Sequence, residues 1–152
     1  MSEISTSHHT VVVKRTFDAP RAKVFGAWSD PKALVRWYVP GDASWSSRIV
    51  AHEFRVGGTK QIAFGPPGTA FTEDCRYEDI VDGQRLCFSM TIAQNGNRIT
   101  TSMVTVLFAE RGKRTETTVT DQLVILDGSD TSGERERGWG ETLDKLTALL
   151  AG

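Results

Sequence analysis

The sequence predicts an α+β fold in which a curved antiparallel sheet of about six to seven strands wraps around a long C-terminal helix. Two short helices are expected after the first strand. Between residues 45 and 126 most segments alternate apolar and polar side chains, as half-buried strands do. Strands and helices do not alternate along the chain, which excludes a parallel nucleotide-binding sheet. The last segment has the periodicity of an amphipathic helix.

The composition is that of an ordinary globular domain. Of the 152 residues, 39% are hydrophobic and 24% are charged, both close to average. With 18 basic and 19 acidic residues the net charge is −1, so no nucleic-acid partner is expected. No apolar run approaches the ~20 residues of a membrane span. One domain is therefore expected over residues 11–151, after a flexible segment over residues 1–10.

The small numbers of cysteines and histidines limit the disulfides and metal sites that the chain can form. Cys75 and Cys87 form no Cys-x-x-Cys motif and follow no secretory leader, so a cytoplasmic protein with reduced thiols is expected. Three histidines, two of them adjacent near the N-terminus, make a zinc site improbable. The sequence thus predicts neither a metal nor a cofactor.

The first three elements follow from local pattern. Residues 11–17 alternate as a strand, and Asp18 then offers an N-cap for a short helix. The apolar face of that helix holds Val24, Phe25 and Trp28. Asp30 and Pro31 end it and start a second short helix. The face of the second helix holds Leu34, Trp37 and Tyr38.

Six further strands are expected after the two helices. Turn signals rich in glycine, proline, asparagine and aspartate separate them, the clearest being Gly65-Pro66-Pro67-Gly68 and Asp82-Gly83. The predicted strands cover residues 45–54, 60–64, 71–81, a segment around 86–92, 99–109 and 114–126.

The final helix carries one apolar stripe, because Trp139, Leu143, Leu146 and Leu150 recur at i, i+4, i+7 and i+11. Such a stripe must be buried, and the large apolar surface available to it is one face of the sheet. A twisted sheet curves around a helix in this position. We therefore expect a cavity between the sheet and the C-terminal helix.

An ordered set of motifs over residues 11–150 resembles a known superfamily. The motifs are Arg15-x-Phe17-x-Ala19-Pro20, Val24-Phe25-x-Ala27-Trp28-x-Asp30-Pro31, Leu34-x-x-Trp37-Tyr38-x-Pro40, Glu53-x-Arg55-x-Gly57-Gly58, Tyr77-x-Asp79-Ile80, Arg85-Leu86, Thr115-x-Thr117-x-Val119 and Gly138-Trp139. They are similar to the SRPBCC (START-like, helix-grip) superfamily, and within it to the subfamily named after the activator of the heat-shock-protein-90 ATPase. Glu53 departs from this pattern, where the family more often has aspartate.

The resemblance implies a helix-grip domain with a deep, largely apolar cavity between the sheet and the last helix. Relatives use this cavity to bind lipids, sterols or plant hormones, to cyclise polyketides, or use the domain to contact a chaperone. Because one fold serves all of these, the fold does not fix the function. A homodimer is compatible with the resemblance.

Candidate ligand-binding residues follow from the face on which each residue lies. The resemblance places the second short helix over the cavity entrance and one parity of the strands toward the interior. The candidates are Trp37, Tyr38, Phe71, Glu73, Cys75, Tyr77, Phe88, Met90, Asp121 and Trp139.

Structural interpretations stand beside these functional ones. Trp37 and Tyr38 suit core packing as well as a cavity wall, and Tyr77 suits a core tyrosine with a satisfied hydroxyl. Asp121 fits either a carboxylate facing the cavity or a solvated residue at the end of its strand. The charged run over residues 134–137 suits a solvated helix start.

Three functions remain open. The first is binding of a small apolar or amphipathic molecule. The second is a cyclase, hydratase or isomerase, which would require Glu73, Tyr77 and Asp121 to converge within ~4 Å for acid–base chemistry. The third, a co-chaperone, is least favoured, because in the eukaryotic activator the homologous domain accompanies a separate N-terminal domain that is absent from this sequence.

Overall fold

A computed structural model describes residues 4–152. Within this range the chain forms seven strands and three helices, and the predicted α+β architecture is confirmed. The elements are β1 (Ser7–Phe17), α1 (Arg21–Ser29), α2 (Pro31–Trp37), β2 (Ser46–His52), β3 (Thr59–Gly65), β4 (Phe71–Val81), β5 (Arg85–Gln94), β6 (Asn97–Arg111), β7 (Arg114–Ile125) and α3 (Ser132–Ala151).

All seven strands belong to one antiparallel sheet with the order β1-β7-β6-β5-β4-β3-β2. Strands β2 to β7 follow one another as neighbours, joined by short turns. Helices α1 and α2 carry the chain from β1 at one edge of the sheet to β2 at the other. The first strand therefore pairs with the last, for example through Val13 and Val119.

Strand β1 begins four residues earlier than the sequence predicted. The sequence predicts a flexible segment over residues 1–10, but Ser7 to Thr10 pair with the end of β7, with Ser7 opposite Ile125. Serine, histidine and threonine give no apolar alternation, so only the partner strand reveals this extension. The part of the prediction that concerns residues 1–3 lies outside the described residues.

The two short helices start differently. The N-cap of α1 is Pro20, which makes no side-chain capping bond, so the predicted cap by Asp18 is wrong. Asp18 lies two residues too early for a cap. Helix α2 begins as predicted: the Asp30 carboxylate accepts a hydrogen bond from the Lys32 backbone N–H at 3.0 Å.

Helix α3 lies against the concave face of the sheet and buries Trp139, Thr142, Leu143 and Leu146. At one end of that face the aromatic side chains of α1 and α2 fill the space beside α3, and Trp28 meets Trp37 with ring centroids 4.7 Å apart. The other end holds a cavity. Within residues 4–152, no helix has the length and apolar character needed to cross a membrane.

Candidate functional site

The cavity lies between α3 and strands β3 to β6 and has a volume of about 250 Å³. Its walls combine apolar side chains from the sheet with the first half of α3 and the segment after α2. The lining residues are Tyr38, Pro40, Trp45, Phe64, Phe71, Glu73, Met90, Ile92, Gln94, Ile99, Thr100, Asp127, Thr131, Glu134, Arg135, Gly138, Trp139 and Thr142.

Three aromatic rings form a flat section of this wall. Phe64 and Phe71 face each other as a cross-strand pair of β3 and β4, with ring centroids 5.4 Å apart and planes inclined by 22°. Trp45 stacks on both of them, at 6.4 and 6.2 Å. Nearly parallel rings of this kind offer a large apolar surface to a planar molecule.

A buried ion pair lies at the inner side of the cavity. Glu73, on β4, lines the cavity, and Lys60 Nζ lies 3.6 Å from its Oε2 atom. The Lys60 side chain is only 1% exposed, and its ammonium group packs 3.7 Å from the ring centroid of Tyr38 and 4.0 Å from that of Phe88. One carboxylate and two aromatic faces thus surround the Lys60 ammonium group in the interior.

Two neutral groups complete this cluster. The Cys75 thiol donates a hydrogen bond to Glu73 Oε2 at 3.2 Å. Burial, with the Glu73 charge as a second cause, raises the pKa of the Cys75 thiol. The pKa of the Tyr38 hydroxyl is also raised, first by burial and then by the charge of Glu73. Both groups therefore keep their protons at neutral pH.

A second buried ion pair joins β7 to α3, and it argues against two of the structural interpretations of the sequence. Asp121 is fully buried, and its Oδ2 accepts hydrogen bonds from Arg135 at 2.8 Å and from the Trp139 indole at 3.0 Å. Asp121 is therefore not solvated at its strand end. Arg135 also donates to Thr100 at 2.6 Å and lines the cavity, so the charged run of α3 is not wholly a solvated helix start.

Tyr77 and Trp37 make hydrogen bonds away from the cavity. The Tyr77 hydroxyl lies 2.8 Å from His52 Nε2. Burial raises the pKa of the Tyr77 hydroxyl. Burial lowers the pKa of the His52 imidazole, and the positive charge of Lys60 lowers it further. Both groups are therefore neutral at pH 7, and one hydrogen bond joins them. The Trp37 indole donates to the carbonyl of Ala27 at 3.0 Å.

Comparison with known proteins decides the family. The sequence model of one protein family, the activator of Hsp90 ATPase homolog 1-like proteins, matches residues 18–151 of this chain. The chain belongs to this family. The resemblance noted in the sequence is thus confirmed. Among curated proteins, none matches this sequence.

Solved structures of similar proteins agree with the family's fold. An uncharacterized protein from Rhizobium leguminosarum is 31% identical, with a TM-score of 0.89 and 99% of each chain covered. The Mll3558 protein from Rhizobium loti is 32% identical, with a TM-score of 0.85 and coverage of 95% of this chain and 98% of that one. DynU16, from the dynemicin biosynthetic locus, is 19% identical with a TM-score of 0.71 over 93% of this chain and 47% of its own. At that identity it shows the fold alone.

In this member of the family, half of the candidate residues line the cavity. They are Tyr38, Phe71, Glu73, Met90 and Trp139. The other half lie behind the cavity wall, and they are Trp37, Cys75, Tyr77, Phe88 and Asp121.

Sequence reasoning missed both basic partners of the buried carboxylates. Lys60 has the same strand parity as Ile62 and Phe64, which face the interior, so parity alone could have indicated it. Arg135 precedes Trp139 by four residues and shares its helix face. The sequence also gave no sign of Trp45 in the cavity wall, because it predicts this residue as the start of a strand, whereas Trp45 lies in the loop just before β2.

Proposed function

We propose that this protein binds a small, mostly apolar molecule in the cavity between the sheet and α3. The supporting observation is the cavity itself, whose wall includes Trp45, Phe64, Phe71 and Met90 beside a few charged groups. Ligand sites typically combine such apolar walls with a few polar groups, in volumes of roughly 300–1,000 Å³. At about 250 Å³, this cavity is slightly smaller than that range and suits a small ligand.

The arrangement of polar groups supports binding over acid–base catalysis. Glu73 lines the cavity, whereas Tyr77 is bonded to His52 and Asp121 is held behind Arg135 and Trp139. The three groups that an enzyme of the expected type would combine thus have separate partners. The co-chaperone hypothesis follows from the family name alone and stays a prediction.

A blocked cavity tests the proposal. In Gly138→Leu the new side chain starts from the cavity wall, where an added Cβ lies 3.7 Å from Pro40, an ordinary contact. Gly133→Leu is the matched control, because Gly133 is exposed in the same helix and an added Cβ meets nothing within 4 Å. Both changes remove a helical glycine and should stabilise α3 similarly, by up to about 1 kcal/mol.

The probes are 2-methylnaphthalene and decanoic acid, measured by thermal shift and titration calorimetry. A probe at 100 times its Kd adds about 2.7 kcal/mol, or a Tm rise of roughly 5–10 °C for a domain of this size. We expect such a rise for the wild type and for Gly133→Leu with at least one probe, and its loss in Gly138→Leu. Absence of any rise in the wild type, or equal binding by Gly138→Leu, would refute the proposal.

A further inference from the structure

The Tyr38 hydroxyl is a buried hydrogen-bond donor that the fold does not use. Its residue is 4% exposed and lines the cavity. Among residues 4–152, no atom lies in hydrogen-bond geometry with its oxygen. A buried hydroxyl without a partner lowers the stability of the free protein. A ligand that accepts this hydrogen bond would remove the penalty.

Glu73 offers a matching acceptor on the same wall. Its Oε2 atom receives Lys60 at 3.6 Å and Cys75 at 3.2 Å. Both of these contacts end on Oε2. A carboxylate has about four acceptor positions, so Glu73 keeps capacity for a donor from the cavity. Lys60 Nζ lies 3.6 Å from Glu73 Oε2 and 3.7 Å from the ring centroid of Tyr38, so the two side chains meet at the same ammonium group.

The charged side chains around Tyr38 and Glu73 determine which kind of ligand group can bind to both of them. An anionic group would be repelled by Glu73. An ammonium group would meet Lys60, which already pairs with the same carboxylate, and it has no lone pair to accept a bond from Tyr38. A neutral hydroxyl does both tasks, because it donates through its hydrogen and accepts through its oxygen.

We propose that Tyr38 and Glu73 form a hydroxyl-binding subsite, so that the ligand is an alcohol or phenol on an otherwise apolar body. The ligand hydroxyl donates to Glu73 Oε1 and accepts from Tyr38. This inference rests on the proposed binding function and adds to it the chemical class of the ligand. The stacked rings of Trp45, Phe64 and Phe71 on the same cavity wall accommodate the apolar body.

The test uses two probes of nearly equal size, 2-naphthol and 2-methylnaphthalene, which differ by a hydroxyl in place of a methyl group. Titration calorimetry at pH 7, where the phenol is neutral, should show that the wild type binds 2-naphthol at least about tenfold more tightly, as expected for a hydrogen bond to a charged group. Tyr38→Phe should reduce that preference to about threefold or less and change the Kd for 2-methylnaphthalene by less than about twofold.

Tyr77→Phe is the matched control, since it also removes a buried tyrosine hydroxyl, but one that bonds His52 behind the wall. It should keep the full preference for 2-naphthol. Tyr38→Phe is chosen over a change at Glu73 because loss of that carboxylate would leave Lys60 buried without its partner. Denaturant unfolding should show Tyr38→Phe to be at least as stable as the wild type.

The outcomes separate the two proposals. If the wild type binds 2-methylnaphthalene as tightly as 2-naphthol, the hydroxyl subsite is wrong and the binding function stands. If Tyr38→Phe keeps the full preference for 2-naphthol, the subsite is also wrong. If the wild type binds neither these probes nor decanoic acid, the binding function fails and the subsite fails with it.

Discussion

Charged side chains inside this protein occur as ion pairs at the boundary between packed core and cavity. Lys60 with Glu73 and Arg135 with Asp121 each place their carboxylate on the sheet's concave face, with Asp121 fully buried. A lone buried charge costs several kcal/mol of desolvation, which a partner and further hydrogen bonds offset. For Asp121 the further bond comes from Trp139.

Replacement of Asp121 by Asn should therefore lower the free energy of unfolding by about 3–5 kcal/mol, because Arg135 would stay buried without its counter-charge. Asp144→Asn is the matched control, since Asp144 of α3 pairs with Arg15 of β1 and its side chain is 67% exposed. It should cost less than about 1 kcal/mol. Urea unfolding of both variants measures the difference, and equal losses would show that burial of the Asp121 pair has no energetic weight.

The sequence predicts which face of the sheet these carboxylates lie on, but it does not predict the residues that they pair with. Strand parity indicated that Glu73 and Asp121 face inward, and both are buried. Parity cannot identify a partner on another element, and Arg135 reaches Asp121 from α3 across 14 positions of sequence. For the same reason parity could not show whether Asp121 meets Glu73, and the two carboxylates have different partners.

Among the elements, β7 depends most on distant parts of the chain. It lies between β6, which precedes it directly, and β1, which begins more than 100 residues earlier. Thr115 at its start donates a hydrogen bond to the carbonyl of Ala19 at 2.8 Å, after the end of β1. The order of elements was predictable from periodicity and turn residues, but the pairing of the first strand with the last needed the fold.

The polar start of β1 should stabilise the sheet measurably. A chain that begins at Ser7 keeps the full strand, whereas a chain that begins at Val11 loses the four residue pairs that end at Thr10 and Gln122. The shorter chain should lose on the order of 2 kcal/mol, at roughly 0.5–1.5 kcal/mol for each backbone hydrogen bond. Urea unfolding compares the two, and identical midpoints would mean that residues 7–10 add nothing to the sheet.

At the scale of the whole molecule, α3 spans two environments. Its second half packs Leu143 and Leu146 into the aromatic core formed with α1 and α2, and both leucines are fully buried. Its first half, around Arg135 to Thr142, lies over the cavity. Local stability follows the density of buried apolar contacts. The half of the helix that covers the cavity should therefore open more easily than the half that closes the core.

Hydrogen exchange measures this difference. Amides of residues 136–140 should exchange faster than those of residues 144–148, although both groups lie beyond the first four helix positions, whose N–H groups lack helical partners. Saturation with 2-naphthol should slow exchange mainly in residues 136–140, since a ligand in the cavity gives that half of α3 the contacts it lacks. Binding of 2-naphthol with uniform slowing along α3, or none, would place the ligand elsewhere on the molecule.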